Sequence, residues 1–500
     1  MITVETTSGP VIGSCCGEVL RFAGIPYAEP PIGALRWRPA QPVASWQEAR
    51  EATEFGASAP QPYDPSGSRD AVLGGHGDPP FDEDCLTLNV WTPAADDARR
   101  PVLVWIHGGG FISGSGSLPY YHGDGFAGDG DLVVVTINYR IGPLGFWASA
   151  DGGESNLWLT DQLAALRWIH ANAEAFGGDP DQITVAGESG GAFSALTLAT
   201  LPETSGLIRR VIAQSPPIGL ALASAADAAQ TAQAISGILG TETVDRLADV
   251  PADALIGATL ALFPQTARFG HWSTPIRPVL DGNLLSCHPL DALLEGAGGH
   301  VDLLIGWNSH EATFSFALQP GMADLTEESV YGRLAERFHN PAEAYAEYRS
   351  AARAGHAEPV DVLAAIESDE LFIRPVIDIA RARSAQGRPA HVYEFAFETP
   401  AHGGALGATH CLELPFVFEN LDRWAHAPFT HGIDPTRAER VSTRMHRAWI
   451  DFVRGQTPSG WPRHAEGAET LRFGDEEAVV SGAHAHDDLY AAHGLPMRRR

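Results

Sequence analysis

The 500-residue chain contains no lysine, so its 33 basic residues are all arginine, set against 62 aspartates and glutamates for a formal net charge of −29. A field of that sign repels phosphate backbones and anionic headgroups, which argues against nucleic acid or bare membrane surface as partners. No stretch approaches the roughly 18 to 20 uninterrupted apolar residues that a membrane helix needs, so no membrane insertion is expected. The five cysteines (Cys15, Cys16, Cys85, Cys287 and Cys411) are odd in number, too few for a disulfide framework, and lack CxxC spacing. The opening Met1-Ile2-Thr3-Val4-Glu5 has neither the basic nor the apolar region of a signal peptide. Together these features predict a protein of the reducing cytoplasm.

What is present is a globular composition, 44% hydrophobic and 19% charged. Short β-branched runs at 102–106, 132–137, 183–186 and 211–213 are apolar on both faces, and Asp161 to Phe176 repeats its apolar residues at helical spacing. Further strand candidates follow at 301–305 and 391–395. Buried strands separated by helices predict an α/β fold, a mostly parallel central sheet covered on both sides. The Ala- and Leu-rich intervals at about 220–275 and 322–388 read as helical cap insertions within one domain spanning 1–500, folding over the carboxyl edge of the sheet. Pro60 to Pro80 reads as a long surface loop.

Two motifs carry chemistry. Gly187-Glu188-Ser189-Gly190-Gly191 follows a strand and precedes a helical run, the context a nucleophile elbow requires. His107-Gly108-Gly109-Gly110-Phe111 also follows a strand, and glycines there let backbone N–H groups approach a developing oxyanion. A phosphate-cradling loop is the competing reading, but GKS/T chemistry is absent. Gly123 to Asp131 lacks EF-hand spacing. His484-Ala485-His486-Asp487 has metal-ligand composition but reads as a solvated C-terminal loop. No metal and no cofactor are expected.

Further motifs occur in order: Gly24-Ile25-Pro26-Tyr27-Ala28-Glu29-Pro30, Glu83-Asp84-Cys85-Leu86-Thr87-Leu88-Asn89-Val90, Asn138-Tyr139-Arg140 and Phe176-Gly177-Gly178-Asp179-Pro180. With the elbow and the HGGGF loop, these resemble the type-B carboxylesterase/cholinesterase family of α/β-hydrolases, and bacterial para-nitrobenzyl-esterase-like members in particular. The resemblance implies Glu311, in Gly306-Trp307-Asn308-Ser309-His310-Glu311, as the triad acid. It implies His410, in Gly407-Ala408-Thr409-His410-Cys411-Leu412-Glu413, as the base of Ser189. Gly109, Gly110 and Gly190 are the implied oxyanion donors, and Glu188, Ser215 and Glu413 the implied neighbours of the triad.

The implied activity is hydrolysis of uncharged short- to medium-chain or aromatic esters through an acyl-enzyme, with carbamate, amide or lipid hydrolysis on the same triad as alternatives. A non-catalytic binding member of the fold is a distant one. The expected partner is a small-molecule ester, and the protein a monomer or small homo-oligomer. Phe111, Trp158, Phe314 and Trp272, with Phe263, Phe269 and Phe316, are candidate pocket aromatics. Three departures from the family pattern stand out: Gly190 where alanine is usual, Trp158 where glycine is usual, and His310 where aspartate commonly precedes the acid. The loop before Cys85 has only Tyr63 and Phe81 as aromatics, which argues against choline esters, and Ala59 stands where relatives carry the disulfide partner of Cys85.

Overall fold

The computed structural model describes residues 1–62, 72–73, 80–146, 154–319, 321–465, 467–482 and 484–492. Most of the loop read between Pro60 and Pro80, Tyr63 included, lies outside the described residues.

The predicted buried strands form the centre of a 13-stranded sheet. They are β6 (Arg100–Ile106), β7 (Val133–Ile137), β8 (Gly178–Glu188), β9 (Arg210–Gln214), β12 (Asp302–Asn308) and β13 (His391–Phe395), joined in parallel in the order β7-β6-β8-β9-β12-β13. Period-2 alternation divides each strand between two cores. Val102, Val104 and Ile106 of β6 face one core, and Leu103 and Trp105 the other. Helices α1 (Leu157–Asn172) and α2 (Gly190–Thr200) cover the first face, with the helix Arg374–Ala385, and α3 (Pro435–Val453) covers the second.

On one edge of the sheet an antiparallel meander of β1 (Ile2–Thr6), β2 (Gly9–Cys16), β3 (Val19–Pro26) and β5 (Thr87–Thr92) joins β7. On the other, β14 (Thr470–Phe473) and β15 (Ala478–Val480) extend the sheet beyond β13; the short β4 (Arg50–Glu51) pairs with β2, and β10 (Ala223–Ser224) with β11 (Val279–Leu280) apart from the main sheet.

The interval after β9 contains helices Ala225–Leu239 and Ala252–Leu260 with a small core of their own. Glu327–Leu334, Pro341–Ala351 and Pro359–Ser368 likewise pack around Leu334, Tyr348 and Leu363. Among the described residues no helix is long and apolar enough to cross a membrane. All five cysteines are free, Cys85 fully buried.

Parallel strands end on the same edge, and register fixes what meets there. Ile106 pairs with Gly187, Glu188 with Gln214, and Asn308 with Phe395. An isolated bridge between His310 and Thr409 then sets the next residue of each chain segment, Glu311 and His410, side by side.

Candidate active site

Ser189 occupies the single-residue turn between β8 and α2 at φ 55°, ψ −123°, a conformation an L-residue holds only under constraint. The constraint is visible on both sides. Its N–H donates to the Gln214 carbonyl at 2.9 Å, and its own carbonyl accepts from Phe193 N–H at 2.9 Å. A Cβ at Gly191 would lie 2.0 Å from the Ile106 carbonyl oxygen, so only glycine lets α2 start this close to β6.

His410 and Glu311 meet across the bridge. His410 Nδ1 lies 2.6 Å from Glu311 Oε2, with both side chains buried. Asn308 N–H donates to Glu311 Oε1 at 2.8 Å, which fixes the carboxylate from its other oxygen. The second imidazole nitrogen, Nε2, lies 3.1 Å from Glu188 Oε1, which also accepts from Cys411 Sγ at 3.2 Å. Glu413 is held by Asn308 Nδ2 at 2.7 Å and Gln214 Nε2 at 3.1 Å. Of the three implied neighbours, Ser215 is the exception: it is fully buried near the end of β9, but its hydroxyl has no hydrogen-bond partner.

Three carboxyl groups therefore surround one imidazole without an arginine among them. Burial pushes Glu188 up to about 8, with His410 opposing and Glu413 adding repulsion. Burial and repulsion from Glu311 push Glu413 up to about 6. For His410, burial works against the cation, but attraction to Glu188 and Glu311 and the bond from Glu311 prevail, raising it to about 9. His310 is pushed down to about 4 by burial, and its Nδ1 accepts from Ala408 N–H at 3.0 Å, so it is a neutral strut between the two segments.

The HGGGF loop runs beside the elbow. Gly109 and Gly110 have φ of 107° and 63°, which points their backbone away from the usual extended course. Among the described residues, no acceptor takes the N–H of Gly109, Gly110 or Gly190. Ser189, His410, Glu188, Gly109 and Gly110 all line one cavity of about 270 Å³. Its remaining wall is largely apolar, including Leu118, Tyr121, Leu371 and Trp424.

Of the expected pocket aromatics, Trp272 and Phe314 line this cavity. Phe314 stacks on the His410 ring at 5.2 Å, and the Trp272 indole lies over Gly110, where a Cβ would come 3.1 Å from Cζ2. Phe111 and Trp158 do not line it, and the pocket expectation for them is corrected. Both are fully buried behind the loop, where Trp158 stacks on Phe146 at 5.4 Å and Phe111 meets Phe146 and Phe193. The apolar HGGGF loop needs a floor, and these rings supply it. Phe316 belongs to the core of the later insertion and Phe269 is exposed.

Sequence reasoning missed Phe372, whose ring lies 5.0 Å from that of His410, and Glu367, a buried carboxylate in the cavity wall. Phe372 sits in a π-turn (Asp369–Ile373) inside an otherwise helical stretch, which helical periodicity does not reveal. Glu367 accepts from Trp272 N–H at 2.7 Å and from Arg333 Nη2 at 3.1 Å, partners far away in sequence.

The same chain aligns with known proteins over nearly its whole length. The carboxylesterase family model matches residues 1–488. Phenmedipham hydrolase of Pseudarthrobacter oxydans is 44% identical over 492 residues, covering 97% of each chain. Para-nitrobenzyl esterase of Bacillus subtilis (strain 168) is 35% identical over 490 residues, covering 95% of each. The crystal structure of the Geobacillus stearothermophilus carboxylesterase EST55 superposes with a TM-score of 0.84 at 37% identity, covering 98% of this chain and 99% of that one. The protein therefore belongs to the carboxylesterase family, with its α/β-hydrolase fold, and is a carboxylic ester hydrolase.

Proposed function

We propose that Ser189 is the acylated nucleophile, His410 its general base and acid, and Glu311 the group that orients the imidazole. A serine hydroxyl is a poor nucleophile at neutral pH, so His410 Nε2 takes its proton during attack on the ester carbonyl and returns it to the leaving alkoxide. The carbonyl oxygen becomes an oxyanion received by the N–H groups of Gly109, Gly110 and Gly190, each such donor being worth about 3 kcal/mol in the transition state. Water then repeats the sequence on the acyl-Ser189 carbonyl and frees the acid. Glu188 and Glu413, whose ionisation is opposed by burial and favoured by a neighbouring cation, offset the imidazolium that forms in both halves.

The observation that carries this reading is the His410 Nδ1 to Glu311 Oε2 contact of 2.6 Å, made by an imidazole that lines the same cavity as Ser189. An apolar cavity of about 270 Å³ suits uncharged esters with short to medium or aromatic groups. The helices of the two insertions, over about 220–275 and 322–388, form the cap of a single domain. The enzyme acts in the cytoplasm as a monomer or small homo-oligomer, with no nucleic-acid partner.

The test is hydrolysis of para-nitrophenyl esters from acetate to palmitate by wild type and Ser189→Ala. Turnover of short chains, lost by about a thousandfold in the variant, is expected. Equal rates in the two proteins would remove Ser189 from the mechanism. A second reading, carbamate hydrolysis on the same residues, is favoured by the similarity to phenmedipham hydrolase. An aryl carbamate assayed beside the ester of the same phenol separates the two by their kcat/KM values.

A further inference from the structure

Three groups of side chains among the described residues have the composition and spacing of metal ligands: Glu188–His410–Cys411, Asp129–Glu419–His446 and Asp369–His484–His486. The first belongs to the hydrolytic site. In the second both carboxylates are exposed, and His446 Nδ1 is engaged by the Val417 carbonyl at 2.8 Å. The third takes no part in the chemistry described above.

Its residues converge from distant parts of the chain. Asp369 opens the π-turn, and His484 and His486 come from the C-terminal segment read above as a solvated loop. That expectation is corrected: His486 is 8% exposed and Asp369 2%. Asp369 Oδ2 accepts from the Tyr348 hydroxyl at 2.9 Å and lies 2.6 Å from His486 Nδ1. The neighbouring Asp487 turns away onto Arg374 and Arg381, so those guanidinium charges are matched outside the cluster.

Two ring nitrogens are left over. His484 Nδ1 and His486 Nε2 are buried and have no hydrogen-bond partner, on rings whose centroids are 6.0 Å apart. A buried polar atom without a partner costs about 1–3 kcal/mol, so the free Nδ1 of His484, beside the Asp369–His486 pair, points to something that binds there, whereas the free Nε2 of His486 lies on the side of its ring away from Asp369. All three residues line a second cavity, of about 520 Å³, separate in its lining from the ester cavity.

We propose that Asp369, His484 and His486 form a binding site for a divalent transition-metal ion of zinc type. Two imidazoles and one carboxylate suit such an ion and leave a coordination position facing the cavity. One nitrogen of each ring and one Asp369 oxygen lie within 4.8 Å of one another. Ligand atoms on one zinc stand roughly 3.3 Å apart at Zn–N and Zn–O lengths of about 2.0–2.2 Å, so His486 Nδ1 and Asp369 Oδ2, now 2.6 Å apart, must separate to admit the ion while His484 moves toward it. The ion replaces the proton between His486 and Asp369, and that proton leaves to solvent.

The site joins two parts of the molecule. The π-turn that begins at Asp369 carries Leu371 and Phe372 into the wall of the ester cavity. A bound ion cross-links that turn to the C-terminal segment and stabilises the folded chain by mass action. The proposal is independent of the triad assignment.

The experiment uses the full chain, stripped with a chelator and titrated with Co²⁺ in the visible range and Zn²⁺ by calorimetry. The variants are His484→Ala, which leaves the Asp369–His486 contact in place, and His484→Ala/His486→Ala. Wild type is expected to bind one equivalent of Co²⁺ with d–d bands and to gain thermal stability with Zn²⁺. Both variants should keep hydrolysis of para-nitrophenyl acetate, which reports folding, and bind at least about a hundredfold more weakly. Absence of binding to wild type at millimolar metal overturns the proposal. Undiminished binding to His484→Ala overturns it too, and if accompanied by loss of esterase activity it places the ion on Glu188–His410–Cys411 instead.

Discussion

Glu188 Oε1 lies 3.1 Å from His410 Nε2 while Glu311 Oε2 lies 2.6 Å from Nδ1, so one imidazole ring is held between two buried carboxyl groups. The arrangement favours the imidazolium that forms during catalysis. It also protects the proton that must leave before His410 can act as a base.

The pH dependence follows from that balance. With His410 raised to about 9, the neutral base becomes more abundant as pH rises, and kcat/KM should climb through the neutral and mildly alkaline range. Glu188→Gln removes one of the attractions that raise His410, so its pKa falls and the acid limb of the profile moves to lower pH. A limb that stays in place, or moves up, contradicts the electrostatic role given to Glu188.

Glu311→Gln keeps the shape of the acid but not its charge. On the proposed mechanism kcat falls by about a thousandfold or more while KM changes little, because the imidazole loses its orientation and the imidazolium its counter-charge. Steady-state kinetics on para-nitrophenyl acetate check this, and a change confined to KM speaks against it.

Gly190 and Phe111 are coupled by packing. A Cβ at 190 would come 3.1 Å from Phe111 Cε1, a ring fully buried between Phe146 and Phe193. Gly190→Ala should therefore lower both thermal stability and kcat, and Phe111→Leu in the same chain should restore part of the loss. The measurement is a double-mutant cycle, and strict additivity refutes the coupling.

Trp272→Ala removes the indole above Gly110 and enlarges the ester cavity at the oxyanion loop. The chain-length optimum of the para-nitrophenyl series should shift to longer acyl groups. An unchanged optimum would place the acyl chain elsewhere.

Arg140 and Asp161 form a buried ion pair at 2.6 Å, 3% and 0% exposed, beneath the loop after β7. Asp161→Ala leaves Arg140 buried and uncompensated, at a cost of about 3–5 kcal/mol. Urea unfolding monitored by tryptophan fluorescence reads the loss.

The strands of the sheet centre and the elbow were legible in the sequence because each rests on local chemistry. Valine-rich runs such as Val133–Ile137 can only be buried on both faces, and Gly187 to Gly191 is dictated by a turn with no room for a side chain. Glu311 and His410 were legible only through the resemblance, since nothing local distinguishes them from other acids and histidines. Their pairing was decided by the register that bridges His310 and Thr409 across two strand ends.

What the sequence alone determined was therefore where the buried strands and the two glycine-rich turns lie along the chain, because burial and backbone space are properties of a few adjacent residues. Only the tertiary structure decided that Phe111 and Trp158 are floor and not pocket, that Phe372 and Glu367 wall the cavity, and that His484 and His486 meet Asp369. The same side chain can serve as core, pocket wall or ligand, and which one it becomes depends on which other segments of the folded chain are set against it.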